Sequence, residues 1–169
     1  MSDHAKSQSQ DFAYFQNLIK DIRFGMLVTR DSGQLQSAPL TTLDSSEWND
    51  DAVYFFVPKD GGVARAIAAD AQVNISYADP DEDRYVSVSG RAALDEDMAK
   101  KEKLFNTFTK AWFPKGPTDP NLGLLRVAVE AAESWDVKES QVTQLFKMVK
   151  AAVTGERPDG MGEHAVLRS

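Results

Sequence analysis

The chain has 169 residues, enough for one well-buried core and short for two. Its composition, 42% apolar and 27% charged, is that of an ordinary globular domain, and a formal net charge of -7 excludes the broad basic surface that nucleic acid or an anionic membrane needs. Cysteine is absent, which excludes disulfides, thiolate nucleophiles and cysteine zinc sites and makes the cytoplasm the expected compartment.

Residues 1–10 are polar and read as a flexible tail; no run of roughly 18 apolar residues occurs, so membrane insertion is not expected. Behind a cap at Ser9 or Asp11, Phe12, Phe15, Ile19 and Ile22 recur at helical spacing. Phe24 to Thr29 is an apolar run, and Asp31-Ser32-Gly33 turns the chain into a second extended stretch, Leu35 to Leu43, predicting a β-hairpin. Pro39 has no N–H for a ladder, so this second strand belongs at an edge, with its backbone open to a ligand.

Ala52 to Val57 predicts a third strand, ending at Pro58-Lys59-Asp60-Gly61-Gly62 before a short helix with Val63, Ala64, Ile67 and Ala68 inward. Val73, Ile75 and Tyr77, then Val86 and Val88, alternate with polar neighbours as half-buried antiparallel strands joined by the acidic loop Asp79 to Asp83. After a cap at Asp95 or Asp97, the residues Met98, Leu104, Phe105, Phe108 and Trp112 predict one side of a single helix that stops before Pro114.

Leu122 to Val129 reads as a closing strand, extended or flanked by Trp135-Asp136-Val137, which makes about six strands in all. Val142, Leu145, Phe146, Val149 and Val153 form a helical face that Gly155 ends. The expected organisation is therefore a tail over 1–10, a domain over 11–138, an amphipathic helix over 139–155 and a loose tail over 156–169.

The two histidines, His4 and His164, fall in these predicted tails, so neither a buried acid–base pair nor a zinc site is expected. The carboxylates cluster in loops, 47–51 and 79–83, as solvated surfaces do, and no catalytic residue or metal ligand is assigned. Two segments carry more. In Lys59-Asp60-Gly61-Gly62, glycines allow close backbone approach and the following helix start offers N–H groups to an anion, with Lys59 as counter-charge; an ordinary turn accounts for the same residues. Trp112-Phe113-Pro114-Lys115-Gly116 sets two aromatics beside a cation, suited to covering a planar ring, locking a subunit interface or filling a core.

In order and spacing, Leu18 to Thr29, Val73 to Asp79, Tyr85 to Gly90, Trp112 to Gly116 with Asp119-Pro120, Leu124 to Val127 and Glu133 to Asp136 resemble one family. It is the general stress protein branch of the pyridoxamine 5'-phosphate oxidase-like, FMN-binding split β-barrels, and the match runs from about Phe12 to Val137. The resemblance implies a mainly β fold with peripheral α-helices, a six-stranded antiparallel split barrel working as a cytoplasmic homodimer. It also implies two flavin sites at the subunit interface, with FMN as cofactor and FAD as the other nucleotide to consider. By analogy, Ser37, Ala38, Pro39, Leu40, Thr41 and Thr42 lie along the isoalloxazine ring, and Phe56, Val57, Pro58, Lys59, Gly62 and Val63 surround the ribityl phosphate. Trp112, Phe113 and Lys115 belong to the expected cofactor-binding set, aromatic and basic residues of one subunit serving the strands of the other.

The chain departs from the pattern where relatives carry cations. Ala38-Pro39-Leu40 stands where Arg-Pro-Met is usual, and Gly61-Gly62-Val63 stands for Ser-Arg-Lys, which leaves Lys59 and backbone N–H groups to hold a phosphate. No second basic subsite is legible. The function implied is a flavin-binding general stress protein with a redox or flavin-buffering role and no nucleic-acid or membrane partner. A pyridoxamine or pyridoxine 5'-phosphate oxidase, and a dimeric interaction module with a vestigial pocket, are the competing readings.

Overall fold

A computed structural model describes residues 12–45, 50–136 and 163–168. Apolar runs and, in β4 and β5, period-two alternation become the strands β1 (Phe24–Asp31), β2 (Gln34–Thr41), β3 (Ala52–Pro58), β4 (Gln72–Asp79) and β5 (Arg84–Asp95), followed by β6 (Leu122–Asp136) and β7 (Glu163–Arg168). All pair antiparallel in the order β2-β1-β4-β5-β6-β3, a six-stranded curled sheet with β7 added beside the second half of β6. The β1–β2 hairpin turns through Ser32 and Gly33, both at positive φ, which glycine adopts without strain.

Among the described residues four helices sit around the sheet: α1 over residues 12–19, α2 (Gly62–Ala69), α3 (Met98–Leu104) and α4 (Thr107–Trp112). The concave face holds the main core, built from Leu27, Phe55, Val57, Ile75, Tyr77, Val86, Leu125 and Val127, with Phe12, Phe15, Leu18 and Ile19 of α1 and Ile67 of α2 packed into it. A second, smaller core lies on the convex side of β3 and β6, where Leu43, Ala52, Tyr54, Leu104 and Leu124 meet under α3. Together these features make a mainly β split barrel with peripheral helices, as the sequence implies.

Two elements differ from the sequence reading, and for the closing strand the structure selects extension from the two alternatives. The expected single helix through 98–112 is two, because Phe105 ends α3 and the Asn106 side chain accepts from the Thr109 N–H to start α4. Leu122 to Asp136 is one continuous strand of 15 residues. The expected tail contains β7, which brings His164 opposite Trp135 in the ladder with β6. The predicted tail over 1–10 and helix over 139–155 lie outside the described residues.

The register of β5 and β6 slips by one residue between Ser89 and Gly90, a bulge that bends both strands. A Cβ on Gly90 would stand 2.1 Å from the Ala128 carbonyl oxygen, so backbone would have to move to accept it. Gly90→Ala is expected to cost about 3 kcal/mol or more in urea unfolding; a loss under about 1 kcal/mol would show that the bulge is not held this closely.

Candidate functional site

The two end strands of the sheet, β2 and β3, run antiparallel, and curling brings them together at one point, where Leu43 N–H donates to the Tyr54 carbonyl at 2.9 Å. Among the described residues they form no ladder beyond it. Counting back from Leu43 and Tyr54, Pro39 would fall opposite Pro58, so both edges lack a donor where a ladder would have to continue. What remains is a slot walled by two strand edges with backbone N–H and C=O groups to offer. No residue of β2 is buried, and Leu35 is 70% exposed.

The closing point is braced by side chains. Tyr54, fully buried, donates its hydroxyl to Asp50 and accepts from Lys100 Nζ at 3.0 Å and Arg126 Nε at 3.2 Å. Burial, then Asp50, pushes the Tyr54 hydroxyl above its ordinary pKa, so it stays a donor. Lys100 also reaches Asp95 at 3.1 Å; the Tyr54 bond, and then Asp95, hold its ammonium charged against the cost of burial. Beside Leu43, the Thr42 hydroxyl meets the buried Tyr77 hydroxyl at 2.9 Å, and burial pushes Tyr77 well up, with Thr42 offsetting a part.

The structure brings most of the expected residues to this slot and removes some. Ser37, Ala38, Pro39 and Thr41 lie along β2 with partial or full exposure, while Leu40 packs back onto the main core. Phe56 is half-buried, its ring edge-on to Phe105 at 6.3 Å, and Pro58 is exposed at the far end. The Val57 side chain belongs to the core, and its carbonyl turns to Gly123 of β6, away from the slot. Gly62 and Val63 open α2, whose N-terminus no side chain caps. Phe113 is a core residue, whereas Trp112 is 83% exposed and Lys115 is exposed with it.

Lys59 is not where a phosphate counter-charge is expected. Its stem crosses β6 over Gly123, where a Cβ would meet Lys59 Cγ at 3.2 Å, and its ammonium lies 3.0 Å from both carboxylate oxygens of Glu96 at the end of β5. Arg65, which sequence reasoning missed, takes its place at the turn. Its side chain folds back from the first turn of α2, donating to the Asp60 carbonyl at 2.8 Å, with the second guanidinium nitrogen 3.8 Å from where a Gly62 Cβ would stand. The signal was the spacing: a residue three past Gly62 on a helix points its side chain back towards the N-terminus.

Outside the slot, the convex sheet face exposes Phe24, Met26, Tyr85, Trp135 and Val166 among small polar residues such as Ser76. Arg23 stacks on both Phe24 and Phe108, 5.0 and 5.1 Å from their ring centres, which sets α4 beside the Phe24–Thr41 pair at the slot end of β2. Trp112 follows Phe108 by four residues, on the same helical face. No helix among the described residues is long and apolar enough to cross a membrane.

An unclosed antiparallel barrel with a slot at its split defines the class, and comparison with known proteins agrees. The family model described as pyridoxamine 5'-phosphate oxidase like matches residues 10–159, so the chain belongs to that family, on its general stress protein branch. A structure described as a general stress protein 26 from Jannaschia sp. CCS1 is 26% identical and superimposes with a TM-score of 0.73 over 95% of this chain and 99% of its own. The general stress FMN/FAD binding protein of Xanthomonas citri is 27% identical, with a TM-score of 0.64 over 79% of this chain and 90% of its own. Protein bli-3 of Neurospora crassa is 28% identical over 144 residues, 79% of this chain and 68% of that protein.

Two outcomes follow from this geometry. Thr42→Val leaves the buried Tyr77 hydroxyl unpaired and should cost about 1–3 kcal/mol, more than Tyr77→Phe, with the double variant close to Tyr77→Phe alone in urea unfolding. Burial raises the Asp95 pKa, but the Asp97 N–H and Lys100 outweigh it and the net shift is downward, so its contribution is present above the ordinary carboxylate range and lost as pH falls through the folded value. The stability gap between the parent chain and Asp95→Asn should therefore shrink between about pH 6 and about pH 2. A gap that stays constant would show that Asp95 is not held by charge.

Proposed function

We propose that the chain binds a flavin nucleotide, FMN with FAD as the other candidate, non-covalently in the slot between β2 and β3, and that it does so as a homodimer. The role is redox or flavin buffering in a stress response. The observation that carries this reading is the pair of strand edges that, among the described residues, meet only at Leu43 and Tyr54. A planar ring with hydrogen-bonding groups on its rim suits such a slot, because backbone groups can pair with it as they would with another strand.

In this reading the backbone of Ser37 to Thr42 pairs with the ring and the Thr41 hydroxyl adds a donor. Leu40, with the Phe56 and Phe105 rings, keeps the pocket poor in water. An ester phosphate faces the uncapped start of α2, with the N–H groups of Gly62 and Val63 and the guanidinium of Arg65 as donors. Bound flavin supplies electron transfer; the protein supplies orientation, exclusion of water and hydrogen bonds. The family assignment and the 27% identity to a general stress protein called FMN/FAD binding support the reading.

The exposed convex face supports the dimer, since Phe24, Met26, Tyr85, Trp135 and Val166 form more open apolar surface than scattered single residues do. Trp112 at the end of α4, and Lys115 three residues beyond it, are exposed and able to serve the partner's site.

Titration of FMN with purified protein should quench its fluorescence saturably in the micromolar range, at one flavin per chain, in a particle of twice the 18.7 kDa chain mass. Arg65→Gln should weaken FMN about tenfold or more and riboflavin little, because only FMN carries the phosphate. Absence of saturable quenching for either flavin would reject the reading.

A further inference from the structure

We infer that Glu96 is a specificity residue of this slot: by holding Lys59 on the far side of β6, it limits how strongly the site favours a phosphorylated flavin over an unphosphorylated one. The inference rests on the flavin reading above and goes beyond it in assigning a role to a residue outside the slot.

Three observations carry it. First, both Glu96 oxygens lie 3.0 Å from Lys59 Nζ, a two-point contact that uses the whole carboxylate. Second, Glu96 is anchored from behind: Lys101, whose side chain is 4% exposed, donates to Glu96 Oε2 at 3.1 Å. A buried ammonium is costly without its carboxylate, so Glu96 stays with Lys101 and is not free to follow Lys59 elsewhere. Third, Gly123 leaves the groove across β6 in which the Lys59 stem lies; any larger residue would press on it.

Lys59 stands three residues before Gly62 and would otherwise be the natural counter-charge for an anion at that turn. With Glu96 fixed beside it, its ammonium is neutralised, and a phosphate drawing Lys59 across would leave a carboxylate without half of its pairing. Lys59 and Lys101 both pull the Glu96 pKa down, so the carboxylate stays charged well below neutral pH. A half-exposed ion pair is a weak restraint in itself. The effect on selectivity is accordingly moderate, not all-or-none.

The test is the ratio of FMN to riboflavin affinity, by fluorescence quenching of each flavin, in the parent chain and in Lys59→Ala, Glu96→Gln and the double variant. Glutamine keeps an oxygen for Lys101 and releases the ammonium of Lys59. Glu96→Gln should raise the ratio roughly five- to tenfold, Lys59→Ala alone should change it less than about twofold, and the double variant should return it to the parent value. The double variant separates release of Lys59 from the loss of one negative charge. A ratio in Glu96→Gln within about twofold of the parent, or a fivefold or greater fall in Lys59→Ala, would overturn the inference while leaving flavin binding intact. If Glu96→Gln does not fold, the Lys59→Ala arm decides alone. If the parent chain binds neither flavin, the reading of the slot fails and this inference fails with it.

Discussion

The proposed function depends on an incomplete closure. A curled antiparallel sheet ends in two strands that approach, touch at Leu43 and Tyr54, and go no further. Unpaired strand edges are a hazard, because they invite pairing with other chains. Here the hazard is managed by Pro39 and Pro58, which would face one another if the ladder ran on, and so block both self-closure and indiscriminate strand addition. The same device leaves carbonyls and the remaining N–H groups available to a partner of matched shape. Tyr54 fixes the closing point from two sides, by its carbonyl to Leu43 and by its hydroxyl to Asp50, Lys100 and Arg126.

Charge is arranged locally against an acidic background. The chain carries a net charge of -7, yet the turn before α2 holds Arg65 folded onto its own backbone, and Lys59 is led away to Glu96. The helix start itself, Gly61-Gly62-Val63, carries no cation. The positive charge there comes from Arg65, whose side chain reaches back. A phosphate would therefore meet N–H groups and one guanidinium, not a cluster of cations.

Much of the fold was legible because alternation marks strands on either side of clear turns: Val73, Ile75 and Tyr77 could hardly do otherwise than face one core. The break between α3 and α4 was not legible for a related reason. Leu104, Phe105, Phe108 and Trp112 fit one helical stripe so well that Asn106, a capping residue in their midst, was overlooked, and the stripe broke where Asn106 begins α4. The strand Glu163–Arg168 escaped notice because its three apolar residues run together without alternation, and its pairing partner is fixed by the sheet, not by its own sequence. In the slot, β2 was recognisable from Pro39. The partner of Lys59 was not, since Glu96 lies 37 residues away and meets it only because β3, β6 and β5 are neighbours.

The central claim is that the free edges of β2 and β3 are the ligand-binding surface, and amide hydrogen exchange reads those edges directly. Adding FMN should slow exchange in two separated segments, 37–42 and 56–63, while the interior strands β4 and β5 exchange as before. Protection elsewhere, with both segments unchanged at saturating flavin, would contradict the account.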